Sequence, residues 1–220
     1  MHDMWEHAEQ ALKPRLRGVL HQAAFSISLA TGAVLVALSG GVLEHVATAV
    51  YAGSVTLLFG TSAAYHRGAW SMRARARMER LDHSMIFVLI AGTYTPFTLL
   101  LLEGPLRWTM LGVVWGGATA GIVARNAAWH APRWLYVALY LGLGWVALAI
   151  LPQVLREGGV AVLVLLLAGG LLYSAGAVVY ARKQPDPSPR WFGFHEVFHA
   201  LTLAAFVTHY VAIGLVVYGA

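Results

Sequence analysis

The feature that most constrains this chain is a succession of seven long apolar runs, at 19–39, 43–66, 81–102, 106–124, 134–151, 160–181 and 193–218, separated by short polar loops. A helix needs about 20 residues to cross the roughly 30 Å hydrocarbon core of a bilayer. A barrel strand would be about half that length and would alternate in polarity. The runs therefore predict an all-α bundle of seven transmembrane helices, with every backbone polar group satisfied inside its own helix. Composition agrees: 59% of the residues are hydrophobic and 11% charged, against about 25% charged in a soluble domain.

Loop charge predicts the orientation. Lys13, Arg15 and Arg17 precede the first run, and Arg67, Arg73, Arg75, Arg77 and Arg80 follow the second. Arg125 and Arg133 follow the fourth, and Arg182, Lys183 and Arg190 follow the sixth. The opposite side carries only Arg107 and Arg156 of the 15 basic residues. This bias predicts a cytoplasmic N-terminus and, with seven spans, an extracytoplasmic C-terminus in the cell membrane. The same bias explains the formal charge of +5 without a nucleic-acid partner. Residues 1–18 form the cytoplasmic or interfacial segment and 19–220 the seven-helix domain. Within the former, Trp5, Ala8, Leu12 and Leu16 are spaced for one face of an interfacial helix, or belong to a partly ordered terminus. The mixed charges Asp3, Glu6 and Glu9 argue that the first run is a retained span, not a cleaved signal. Gly112, Gly116, Gly117 and Gly121 predict close packing of the fourth helix, and Pro96 a kink in the third.

Ionisable residues inside a membrane are costly and usually functional. With the predicted topology, Ser62 and His66 end the second span, Asp82 begins the third, and His195 and His199 begin the seventh. All five fall within about two helical turns of the same surface. His195 and His199 share a helix face, as do Ser62 and His66. There is no cysteine, so a metal would be held by nitrogen and oxygen. Three imidazoles leave a fourth position open on a tetrahedral ion, the arrangement of a catalytic zinc. Asp82 could take a proton from a water there or serve as fourth ligand, and Ser62 could orient that water or a substrate carbonyl. His195-Glu196-x-x-His199 is also a literal H-E-x-x-H, in which Glu would be the general base; Asp82 is favoured over it, the alternative for Glu196 being a pair with an arginine of the inner loops. His2, His7, His130 and His45 read as interfacial residues. His21 is either a neighbour of the site or interfacial, His83 points away from Asp82, and His209 lies mid-membrane with Tyr94 or Thr95 as candidate partners.

Ser62-x-x-x-His66, the following Asp82 and His195-x-x-x-His199 together resemble the progestin and adipoQ receptor superfamily. Lys13-Pro14-Arg15-Leu16-Arg17-Gly18-x-x-His21, Leu81-Asp82-His83-Ser84 and Ile90-Ala91-Gly92-Thr93-Tyr94-Thr95-Pro96-Phe97 resemble its bacterial hemolysin III branch. The resemblance implies seven helices with an intracellular N-terminus, and zinc bound by His66, His195 and His199 with Asp82 and Ser62 holding a water. Alkaline ceramidases, in a wider group sharing this residue set, cleave lipid amides. The eukaryotic receptors carry Gln where this chain has Glu196, a departure that leaves the general base open.

Three functions follow. The chain could be a zinc hydrolase of a lipid amide or ester, with a membrane lipid or fatty acid as ligand. It could be a pore or cytolysin, but a channel needs polar residues along its whole path and here they cluster at one end. It could be a membrane-state sensor in which zinc ties spans two, three and seven together. Chemistry favours the hydrolase.

Overall fold

The computed structural model describes residues 13–127 and 132–219. The proposed interfacial face at Trp5, Ala8 and Leu12, and His2, His7 and His130, lie outside them. Among the described residues the main elements are helices: α1 (Val19–Ala37), α2 (Val42–Arg67), α3 (Met72–Leu101), α4 (Gly104–Ala127), α5 (Arg133–Gly144), α6 (Gly159–Arg182) and α7 (Phe194–Tyr218). Five helical stretches are long and apolar enough to cross a membrane, one of them the joined run Arg133–Arg182. Helix α4 is less apolar than these because glycines, tryptophans and two arginines dilute it.

The joined run is where the expected spans 134–151 and 160–181 fall. A straight helix of its 50 residues would reach about 75 Å. Instead Arg133, at its start, lies with its guanidinium 4.6 Å from the centre of the Tyr180 ring, near its end. Trp145 Nε1 donates to Ser174 Oγ at 3.0 Å. The run is therefore a hairpin. It turns through a 3₁₀ stretch (Trp145–Ile150), one α-helical turn and a π-helical turn (Val154–Gly158), ending at Gly159 with φ 78°.

Side-chain contacts define how the other helices pack. His21 meets Ser62 and Ser39 meets Thr48, so α1 and α2 are antiparallel. Trp115 donates to Thr95 and Asn126 to Ser84, so α3 and α4 are antiparallel. Tyr210 and Tyr218 of α7 donate to Thr31 and Leu35 of α1, closing the bundle. One end of the bundle thus gathers the starts of α1, α3, α5 and α7 and the ends of α2, α4 and α6.

Tyr51, Phe59, Phe97 and Ile213 fill the core, while Val42, Leu57, Val123 and Val160 stand more than half exposed on the outside. An apolar exterior over an apolar interior is what a lipid solvent permits and water does not. Close helix approach is achieved at Gly92, where a Cβ would lie 2.1 Å from Ser54 Oγ, and at Gly32, 2.9 Å from Ala52 Cβ. The expectation for α4 is met in half: Gly117 and Gly121 receive Leu143 and Phe87, but Gly112 and Gly116 face open space.

Helix α3 differs from its expected start. Apolar residues begin at Leu81, yet the helix starts at Met72, where Ser71 Oγ accepts from Ala74 N at 3.4 Å. Arginine and alanine are strong helix formers, so the basic stretch Met72–Arg80 extends the helix beyond its apolar part instead of looping.

Candidate metal centre

The predicted residues meet at that same end. His66, from the last turn of α2, and His195 and His199, from the first turns of α7, bring one ring nitrogen each to within 4.8 Å of one another. His66 Nε2 and His195 Nε2 are 3.1 Å apart. Two nitrogens on one tetrahedral zinc, each at 2.0–2.1 Å from the ion, would lie about 3.4 Å apart, so the first pair is at ligand spacing. His199 is 2% exposed and its Nδ1 has no hydrogen-bond partner. A buried imidazole nitrogen left bare is costly, and a metal ion held by the buried His66 and His199 and the half-buried His195 would relieve it. The triad fits a metal ion on these grounds.

Asp82, at 14% exposure, has Oδ2 3.9 Å from His66 Nε2. Ser62 is buried one turn before His66 and close enough to Asp82 to hydrogen-bond its carboxylate. His83 does point away: Nε2 meets Tyr180 Oη at 3.1 Å and Nδ1 meets the Glu79 carbonyl at 2.9 Å. His45 is engaged with the Gly41 carbonyl at the other end of α2.

Two positions left open in the sequence are decided by the coordinates. His21 belongs to the site: its Nδ1 is 2.8 Å from Ser62 Oγ, and its ring stacks on His199 at 3.6 Å with 11° between planes. Glu196 faces away from the triad. Its Oε1 accepts from Arg17 Nε at 2.5 Å and its Oε2 from Gly193 N at 2.9 Å, capping α7. Both oxygens are occupied on the outer side, as expected for a residue pointing about 100° from its neighbour on a helix. Its partner is an arginine, but Arg17 belongs to the segment before α1 and not to an inner loop.

The segment before α1 forms a strap beneath the site, which the apolar pattern could not signal. Lys13 Nζ donates to the His66 carbonyl. Burial, with Arg75, Arg17 and Arg67 nearby, holds that ammonium below the ordinary lysine value. Arg15 N and Leu16 N donate to the carbonyls of Arg190 and Trp191 at 3.1 Å each, tying the strap to the loop before α7. Gly18 adopts φ 80°, and a Cβ there would lie 2.6 Å from His66 Cβ.

A mainly apolar cavity of about 150 Å³, room for on the order of ten waters, runs from the triad into the bundle. Ser62, Asp82, His195 and His199 line one end, and Phe97, Leu166 and Tyr173 lie deeper. His209 also lines it. The expected partners Tyr94 and Thr95 are used elsewhere, Tyr94 on the Gly144 carbonyl and Thr95 on the Ala91 carbonyl. His209 Nε2 instead meets the Leu166 carbonyl at 3.1 Å.

Comparison with known proteins agrees with this architecture. Residues 9–210 match the family model described as Haemolysin-III related. The chain is 38% identical to Hemolysin-3 of Bacillus cereus over 155 residues, covering 68% of each chain. It is 34% identical to the Hemolysin-3 homolog of Bacillus subtilis (strain 168), covering 70% of this chain and 73% of that one. It is 31% identical to the heptahelical transmembrane protein ADIPOR2 of Oryza sativa subsp. japonica, covering 73% and 77%. With an all-α bundle of membrane-crossing helices around a buried histidine triad, this multi-pass membrane protein belongs to the haemolysin-III related family.

Proposed function

We propose that this chain is a zinc-dependent hydrolase of a membrane-lipid amide or ester, with all seven helices crossing the cell membrane and the N-terminus in the cytoplasm. One observation carries the reading: His195 and His199 of the triad stand at the head of an apolar cavity, with Asp82 and Ser62 beside them. A purely structural ion has no need of such a cavity. The antiparallel helix order supports the topology, because it puts the basic loops at the triad's end of the bundle.

His66, His195 and His199 would hold the ion, whose nitrogen-only protein ligands suit zinc. When bound, zinc supplies a Lewis acid and lowers the pKa of a coordinated water to about 7. Asp82 is the residue that accepts a proton in the site and returns it to the leaving group. Ser62 orients the substrate carbonyl, and His21, bonded to Ser62 Oγ, fixes the serine rotamer. The apolar walls bind the acyl chain and exclude water. A lipid could then enter from the inner leaflet with its carbonyl at the triad.

A second reading rests on the 3.9 Å between Asp82 Oδ2 and His66 Nε2. A small movement would make Asp82 a fourth ligand and close the site, leaving a sensor or regulator riveted by zinc. Metal analysis of purified protein, with lipid profiling of expressing cells, separates these. Wild type should carry about one zinc per chain, and His195→Ala and His199→Ala should each weaken binding at least tenfold. Asp82→Ala should keep the ion and abolish the lipid change that wild type produces. Unchanged metal in the histidine variants would sink the site; an unaltered lipid profile with Asp82→Ala, or its loss of zinc, would favour the rivet.

A further inference from the structure

His209 poses a separate question. It lies ten residues beyond His199 on α7, about 15 Å further along the axis, and is 6% exposed. Its Nε2 is 3.1 Å from the Leu166 carbonyl. A carbonyl only accepts, so Nε2 carries the hydrogen, and in the neutral ring Nδ1 is left as a bare acceptor. That Nδ1 is buried and has no partner, and the residue lines the deep part of the cavity. The ring is also held in place. Tyr173 packs 5.6 Å from it, and a Cβ on Gly169 would fall 2.2 Å from its Nε2, so that position leaves room for the ring.

Nδ1 lacks a donor within the protein and an aliphatic chain in the cavity would leave it so, whereas a chain carrying a donor to this depth would meet that need. From this we infer that the cavity selects a chain bearing a hydrogen-bond donor, a hydroxyl or an amide N–H, that donates to His209 Nδ1 at mid-membrane depth. The inference deepens the proposed function and rests on it for one element, the placing of the ligand's carbonyl at the triad. An extended residue of three backbone bonds spans about 3.6 Å, or roughly 1.2 Å per bond. Fifteen ångströms is then about twelve bonds, which places the donor near the twelfth carbon of an acyl chain.

The test uses purified, zinc-loaded full-length protein in detergent, with octadecanoate and its 12-hydroxy and 6-hydroxy derivatives as competitors for a fluorescent fatty acid. The 12-hydroxy acid should bind about fivefold more tightly than octadecanoate, the gain of one net hydrogen bond, and the 6-hydroxy acid should show no gain. His209→Phe keeps the ring's shape and should erase the preference. His209→Gln offers both a donor for Leu166 and an acceptor, and should restore it. Equal binding of all three acids to wild type, or a preference that survives His209→Phe, overturns the inference. Should His209→Phe fail to fold, the comparison of the three acids on wild type decides alone. Binding of octadecanoate that ignores His195→Ala refutes the metal-centred reading and leaves the His209 comparison to be judged on its own result.

Discussion

Glu196 is the position at which two chemistries compete, and its replacement separates them. If it were the base of an H-E-x-x-H protease-like centre, Glu196→Gln would abolish activity and leave stability alone. The structure argues the reverse. Glu196 is 1% exposed, and its carboxylate is held by Arg17, itself 19% exposed, and by the Gly193 amide. Removing one partner of a buried ion pair costs about 3–5 kcal/mol because the other charge is stranded. Arg17 retains some solvent and glutamine can still cap Gly193, so the lower end, about 3 kcal/mol, applies to Glu196→Gln. Arg17→Met strands the more deeply buried carboxylate and should cost about 4 kcal/mol. For a domain of this size about 3 kcal/mol corresponds to a fall of roughly 6–12 °C in Tm. Replacing both partners with apolar residues is often tolerated, so Arg17→Met combined with Glu196→Leu should cost well under the sum of the two single changes. Thermal unfolding in detergent, with zinc content measured in parallel, is the assay. Additive losses, or a Glu196→Gln protein of unchanged Tm that has lost its metal or its activity, would refute the capping role.

Two further predictions concern the strap and the topology. Gly18→Ala meets the left-handed cost of about 1–2 kcal/mol and drives its Cβ to 2.6 Å from His66 Cβ; it should lower Tm and weaken zinc binding together, and normal zinc affinity in this variant would separate the strap from the site. Because the chain has no cysteine, single cysteines at Gln184 and Glu103 can be labelled with an impermeant maleimide in intact cells. Glu103→Cys should react and Gln184→Cys should not, and the opposite pattern would invert the proposed orientation.

How much of this was legible in the sequence depended on whether the signal was periodic or spatial. Helices α1, α2 and α7 begin and end close to their apolar runs because lipid burial alone defines them. The triad was legible for the same reason: an i, i+4 pair names a helix face, and alternation of spans names a depth, so His66 and His195 could be brought to one surface before any coordinates. Helix α3 was misjudged at Met72–Arg80 because hydropathy measures burial, whereas an arginine–alanine stretch stays helical in water.

What periodicity cannot encode is the direction of a contact between elements distant in sequence. Arg17 and Glu196 are separated by 179 positions, and Lys13 and His66 by 53; nothing in either neighbourhood marks the partner. Yet these contacts explain why so polar a segment sits beneath so apolar a bundle. The histidines are carried by two helices that must stay in register, and each helix has its site end fixed by the strap, α2 through the His66 carbonyl and α7 through Glu196. A metal centre assembled from the termini of different helices is exposed to fraying at those termini. The strap supplies the missing backbone and charge partners where fraying would begin, which places the functional weight of Lys13, Arg17 and Gly18 on holding the triad together, without contact with a substrate.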